Sequence, residues 1–181
     1  ISLYLNHELR IEDVNFTLIE QKFETKKIEN IEERIDEELK NLNIKEYVKP
    51  NMTIAITAGS RGIANIAVII KHTIDYLKAI GAKPFIVPAM GSHGGATAEG
   101  QLRILEELGI TESSMQCPIK SSMEVVCIGN TDDGIPVYMD KNAYDADGIV
   151  VINRIKPHTD FTSNLESGLI KMIAVGLGKH K

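Results

Sequence analysis

Tryptophan is absent from these 181 residues, cysteine occurs only twice, and all aromatics together make up 5%. Two cysteines cannot supply the framework of a disulfide-stapled secreted fold. Cys117 and Cys127 show neither a CxxC nor a histidine at zinc spacing, so both are expected to be reduced core or strand residues. Also missing is any run of the roughly 18–20 apolar residues that spans a bilayer, and no n-region and h-region pattern marks a signal peptide. No membrane role is expected, and the expected compartment is the cytoplasm. An initiator Met is lacking too: the chain opens at Ile1 and stops at Gly178-Lys179-His180-Lys181, which reads as a fragment.

What is present is globular in character. With 43% hydrophobic and 25% charged residues, disordered and collagen-like classes are excluded. A domain of this size buries roughly 70% of the surface its unfolded chain exposes, so it needs no metal merely to hold a core. Any metal would serve chemistry. Net charge is −5, unevenly spread: residues 1–50 hold 12 acidic against 8 basic residues. Residues 148–181 reverse the sign, with Arg154, Lys156, Lys171, Lys179 and Lys181 against Asp160 and Glu166. So local an excess suits a small anion better than a nucleic-acid backbone, which asks for a broader basic stripe. Nucleic acid is not an expected partner.

Along the chain, Ile28, Ile31, Ile35 and Leu39 recur at helical spacing within residues 26–41, which predicts an amphipathic surface helix. Pro50-Asn51 breaks the chain, and residues 52–57 form the short β-branched run of a buried parallel strand. Ile63, Ile66, Ala67, Ile70, Ile74 and Leu77 then make one helical stripe closed by Gly81. Residues 84–88 read as the next strand. A second helix over roughly 97–108 follows, with Thr97 as N-cap and Gly109 at its end. Extended runs at 124–128 and 135–139 flank the turn Asp132-Asp133-Gly134, and 148–153 reads as one more buried strand. This order predicts an α/β fold: a Rossmann-like, mostly parallel sheet with helices on both faces. Residues 1–49 would add an N-terminal strand and the amphipathic helix, packed on a domain spanning 50–181. In such sheets ligands sit outside the carboxyl ends of the strands, so loops 58–62, 89–96 and 154–168 are the ones to read.

Each of those loops carries a feature that a plain connector does not need. Arg61 stands in Gly59-Ser60-Arg61-Gly62 between a strand and a helix, where glycine admits a ligand to the backbone and a guanidinium grips a carboxylate or phosphate. The plainer alternative is a surface Arg in a turn. His93, in Gly91-Ser92-His93-Gly94-Gly95, has only small neighbours, and imidazole suits proton transfer near neutral pH. Its alternative is a histidine at a helix cap. His158 follows Lys156-Pro157, with Asp160 placed either to orient its ring or to make a turn. Lys171 is the only charge between Leu169 and Val175; it reads either as a buried lysine of nucleophilic character or as a snorkelling side chain, and the residues alone favour the second. His7 and His72 read as structural, with His72 facing solvent. Gly176-Leu177-Gly178-Lys179 matches a phosphate loop only faintly, and its spacing is wrong.

Taken together, Gly-Ser-Arg61-Gly, Gly-Ser-His93-Gly-Gly, Lys-Pro-His158 and Gly168-Leu-Ile-Lys171 resemble the N-terminal domain of the lactate racemase family, the nickel-pincer-nucleotide enzymes, over about residues 50–181. The resemblance implies that Arg61 binds a substrate carboxylate, that His93 and His158 are the acid/base pair, and that Lys171, with Gly168, holds the cofactor through a thioamide link. It implies racemisation or epimerisation of a small 2-hydroxy carboxylic acid. It also implies a nickel-ligating His beyond Lys181, cofactor-synthesis enzymes as partners, and a C-terminal domain of the same protein. Three positions differ from the racemase pattern. Gly94 replaces an Arg, Ala58 replaces an Asp, and Lys171 lies 13 residues after His158 rather than about ten. The residues by themselves leave a second reading open: a non-catalytic α/β module that binds a phosphorylated or carboxylate small molecule. A hydrolase with another metal finds no Asp or Glu at convincing ligand spacing.

Overall fold

The computed structural model describes residues 17–22, 27–156, 162–163 and 166–180. The expected N-terminal strand with His7 lies outside them. The first helix, α1 (Ile31–Asn41), begins three residues beyond Ile28 because Asn30 caps it, its side chain accepting from the Glu33 amide at 3.1 Å. Ile28 is left exposed. A short α2 (Ile44–Tyr47) leads to β1 (Thr53–Ala58), then α3 (Ile66–Ala79) and β2 (Lys83–Pro88). The α3 stripe was expected from Ile63. The helix starts at Ile66 instead, since Asn65 takes a left-handed conformation (φ 61°) that no helix can run through. Gly81 (φ 87°) and Gly109 (φ 75°) do end their helices as expected. Thr97 caps α4 (Ala98–Glu107) by accepting from the Gly100 amide at 3.0 Å.

After α5 (Glu112–Met115) come β3 (Val125–Asn130), β4 (Pro136–Asp140), α6 (Lys141–Tyr144) and β5 (Gly148–Val150). The chain closes on α7 (Leu169–Lys171), which widens into a π-helical turn at Met172–Gly176. Among the described residues β1, β2 and β5 form a parallel sheet in the order β2-β1-β5. The two runs around Asp132-Asp133-Gly134 pair antiparallel as a separate two-stranded sheet. The fold is thus mixed α/β.

Alternation along the strands sorts the core. Ile54, Ile56, Ala58 and Ile86 point to one face, where Ile66, Ile70, Ile74 and Leu77 of α3 and Leu105 of α4 cover them. Helices α3 and α4 therefore lie on the same side. Ala55, Phe85 and Val87 point to the other, against Ala143 of α6 and Met172 and Leu177 of the C-terminal segment. Fully burying each such aliphatic side chain contributes about 1.5–3 kcal/mol, so this two-sided sheet is the stable frame on which the loops stand. His72 is half-buried rather than turned wholly to solvent: its Nε2 lies 2.9 Å from Asp36 Oδ1 and ties α3 to α1. Cys117 is buried and Cys127 exposed, both as free thiols. No helix among the described residues is long and apolar enough to cross a membrane.

Candidate active site

Parallel pairing puts Ala58 beside Pro88, and the ladder runs one step further where the Ala89 amide donates to Ala58 O at 2.8 Å. The loops leaving β1 and β2 therefore start side by side at the carboxyl edge of the sheet. Into the same edge run the exit from β5 and the turn that carries Lys171. Together they enclose a cleft of about 510 Å³ lined by Arg61, His93, Arg154, Lys156 and Lys171, with Ser60, Asn153 and Ser167 among the polar groups between them.

Of the expected site residues, Arg61, His93 and Lys171 thus meet in one cavity although they lie far apart in sequence. His158, with Pro157 and Asp160, lies outside the described residues. Gly168 is buried and does not line the cavity. Its φ of 78° and ψ of −140° belong to a region only glycine enters freely, and it precedes the helical turn of Lys171. Asn153 holds that turn, its Nδ2 donating to Gly168 O at 2.6 Å while its Oδ1 accepts from the Arg154 amide at 2.8 Å. One asparagine thereby links the loop of Arg154 and Lys156 to that of Lys171.

Lys171 is neither buried nor sunk in an apolar core. Leu169, Ile170, Ile173 and Val175 are each at least 41% exposed, and Met172 is the apolar side chain of the run that turns inward. Lys171 itself is exposed and lines the cleft. A π-helical turn follows at Met172–Gly176, a wide turn of the kind that recurs at functional sites. Gly176 lets it approach the sheet: a Cβ there would sit 2.7 Å from Ala89 O. The Gly91 amide then donates to Gly176 O at 3.1 Å, joining the His93 loop to the Lys171 segment.

His93 is held from two sides. Its Nδ1 lies 2.5 Å from Ser60 Oγ. Behind it, the buried Gln101 donates through Nε2 to Gly91 O at 2.9 Å and to His93 O at 3.3 Å. Lys179 completes this support. Its ammonium, wholly buried, donates to Pro88 O at 2.6 Å and to Gln101 Oε1 at 3.3 Å, and pairs with the equally buried Asp140 at 3.0 Å. Burial pulls the Lys179 ammonium below the ordinary lysine range, and the Asp140 carboxylate opposes that pull. The phosphate-loop match at Gly176–Lys179 is therefore void, and Lys179 drops out of the positive excess that can attract a ligand. What remains on the cleft wall is Arg61, Arg154, Lys156 and Lys171, with no Asp or Glu lining it among the described residues. Such a wall favours an anion.

Ser60, Gln101, Asn153 and Lys179 had not been singled out as site residues. Ser60 stood in plain view inside the Arg61 motif, and only the pairing of β1 with β2 reveals what it faces. Among the described residues no three His, Cys, Asp or Glu side chains converge as a metal-binding group.

The family model of the lactate racemase N-terminal domain matches residues 5–180. The chain belongs to that family. No curated protein and no solved structure matches it. In this lactate racemase N-terminal domain the matched stretch takes in all three loops of the cleft and the segment that closes it.

Proposed function

We propose that this lactate racemase N-terminal domain serves a racemase or epimerase of small 2-hydroxy carboxylic acids that uses proton-coupled hydride transfer to a nickel pincer nucleotide. The observation that carries this reading is the meeting of Arg61, His93 and Lys171 in one cation-walled cleft. The Rossmann-like description of the fold, the division at residues 49/50, a further C-terminal domain supplying the nickel-ligating His, cofactor-synthesis enzymes as partners and a cytoplasmic setting belong to the same proposal.

The side chains fit the organic part of such a cofactor. A primary amine opens onto the cleft at Lys171, and Arg154 and Lys156 stand on the same wall to hold a phosphate. Gly168 sets the turn from which that amine projects. When bound, the cofactor would supply a reversible acceptor for the Cα hydride. Arg61 would fix the substrate carboxylate by a bidentate grip and so orient the carbon whose configuration changes. His93 would take the hydroxyl proton on one face, becoming an imidazolium, and a protonated His158 would supply its own proton to the new hydroxyl on the other, since the two enantiomers present that hydroxyl from different sides; turnover in the opposite direction resets the pair. A positioned acid/base group typically contributes about 10²–10⁴-fold.

His93→Ala in the whole protein, made together with the cofactor-synthesis enzymes, should lower kcat by at least about 10² while the circular dichroism spectrum is unchanged. Near-normal turnover would sink the assignment. Intact mass should show an adduct on Lys171, and an unmodified Lys171 peptide counts against the cofactor. The cationic cleft also favours the second reading, a non-catalytic module for a phosphorylated or carboxylate small molecule. Metal analysis separates the two, because only the enzyme should carry nickel.

A further inference from the structure

An imidazole that is to accept a proton at Nε2 must carry its own proton on Nδ1, and a free histidine side chain prefers the opposite tautomer. Something has to hold the ring the other way. The Ser60 hydroxyl stands in that place, with Oγ 2.5 Å from His93 Nδ1. Neighbouring restraints make the contact rigid. The His93 amide donates to Met90 O at 3.2 Å, Gln101 holds the His93 carbonyl, and the Ala89–Ala58 bond fixes the Ser60 loop beside it.

We infer that Ser60 is a positioning residue that holds His93 in its Nδ1–H tautomer and so leaves Nε2 to exchange the hydroxyl proton of a substrate. This rests on the hydroxy-acid reading above. The hydroxyl oxygen accepts from Nδ1–H when the ring is neutral and accepts the same bond when it is an imidazolium. A proton can therefore arrive at Nε2 and leave again with no rearrangement at Nδ1. Proton count is conserved: the substrate oxygen loses the proton that Nε2 gains, and the Nδ1 proton stays where it was. A carboxylate in place of Ser60 would favour the charged ring and impede the return step. The cleft that His93 lines already carries its charge on other residues, Arg61 on the β1 loop, Arg154 and Lys156 after β5, and Lys171 on α7, so a neutral partner at Nδ1 adds none.

The test reads the tautomer directly. Protein labelled with ¹⁵N-histidine, at a pH where the ring is neutral, gives long-range proton–nitrogen correlations that distinguish a protonated Nδ1 from a protonated Nε2. The His93 signals are assigned by their loss in His93→Gln. The expected result is a protonated Nδ1 in the wild type, a switch to protonated Nε2 in Ser60→Ala, and retention of the native tautomer in Ser60→Thr. Turnover should follow: Ser60→Ala lowers kcat roughly 10–100-fold with KM nearly unchanged, and Ser60→Thr restores it. A wild type already protonated on Nε2, or a tautomer indifferent to Ser60→Ala, overturns the inference. If the tautomer switches yet His93→Ala does not slow turnover, His93 is not the acid/base group, and the proton exchange assigned to its Nε2 is overturned together with that part of the hydroxy-acid reading. If His93→Ala abolishes turnover while Ser60→Ala changes nothing, this inference fails alone.

Discussion

Replacing Lys179 by methionine keeps the length of the side chain and removes its charge from a site where neither partner of the ion pair touches solvent. Asp140 would then be a carboxylate buried without a counter-charge, a situation that costs roughly 3–5 kcal/mol when one partner of a buried pair is removed. For a chain of this size each kcal/mol moves Tm by about 2–4 °C, so the variant should melt roughly 6–20 °C below the wild type. Asp140 also caps α6, its Oδ1 accepting from the Ala143 amide at 2.9 Å, and a second variant has to spare that bond. Asp140→Asn does so while removing the negative charge. The double variant Lys179→Met/Asp140→Asn should therefore regain about 2 kcal/mol of the loss, and not all of it, because Pro88 O and Gln101 Oε1 still lack their donor. Urea unfolding of the four proteins closes the cycle. A Lys179→Met variant within about 1 kcal/mol of the wild type, or a cycle with no coupling, would refute the claim that this pair is buried and mutually dependent. The same substitution tests the support of the site. Gln101 loses one partner, so the Gly91 and His93 amides should exchange with solvent faster.

Two further outcomes follow from the ionisable groups. Burial pushes the Cys117 thiol up to about 11, whereas Cys127 is exposed, so Ellman's reagent at mildly alkaline pH should titrate one thiol quickly and the second only on unfolding. Asp147 accepts from both the amide and the hydroxyl of Thr53, at 2.7 and 2.8 Å, and the backbone bond above all holds its carboxyl below the ordinary 3.8. A carboxyl lowered in the folded state adds stability above the unfolded value and loses it as pH falls through the folded one. The deficit of Asp147→Ala in urea unfolding should therefore be present near neutral pH and shrink well below pH 3.8; a deficit independent of pH would exclude this role.

The strands β1 and β2 and the helices α3 and α4 were legible in the residues, since β-branched runs, apolar stripes and a capping Thr97 are local signals with local causes. Helix starts were less so. Ile28 and Ile63 continue the apolar period of their helices, yet Asn30 and Asn65 decide where each helix begins, one by its side chain and one by a left-handed backbone. The hairpin of β3 and β4 shows the same limit in the sheet. Its two runs and turn were readable, but nothing in the pattern said that, among the described residues, they pair only with each other. In the cleft, Arg61, His93 and Lys171 were accessible as candidates because each is a reactive side chain set among small residues or in an apolar run. For Lys171 the residues favoured an unburied side chain, and it is exposed; what periodicity could not reveal is that Leu169, Ile170, Ile173 and Val175 beside it are exposed too.

The sequence by itself therefore determined β1, β2, α3, α4 and the two hairpin runs, the loops that carry reactive groups and the family to which the motifs point, because turn chemistry and periodicity act over a few residues. Tertiary structure alone decided that Ser60 faces His93, that Asn153 braces the Lys171 turn, and that Lys179 is withdrawn into the core while Lys171 opens onto the cleft. The physical reason is that partnership and desolvation depend on which strand ends lie side by side. Two lysines in the same C-terminal segment carry the same charge, and only packing makes one of them structural and leaves the other free to bind.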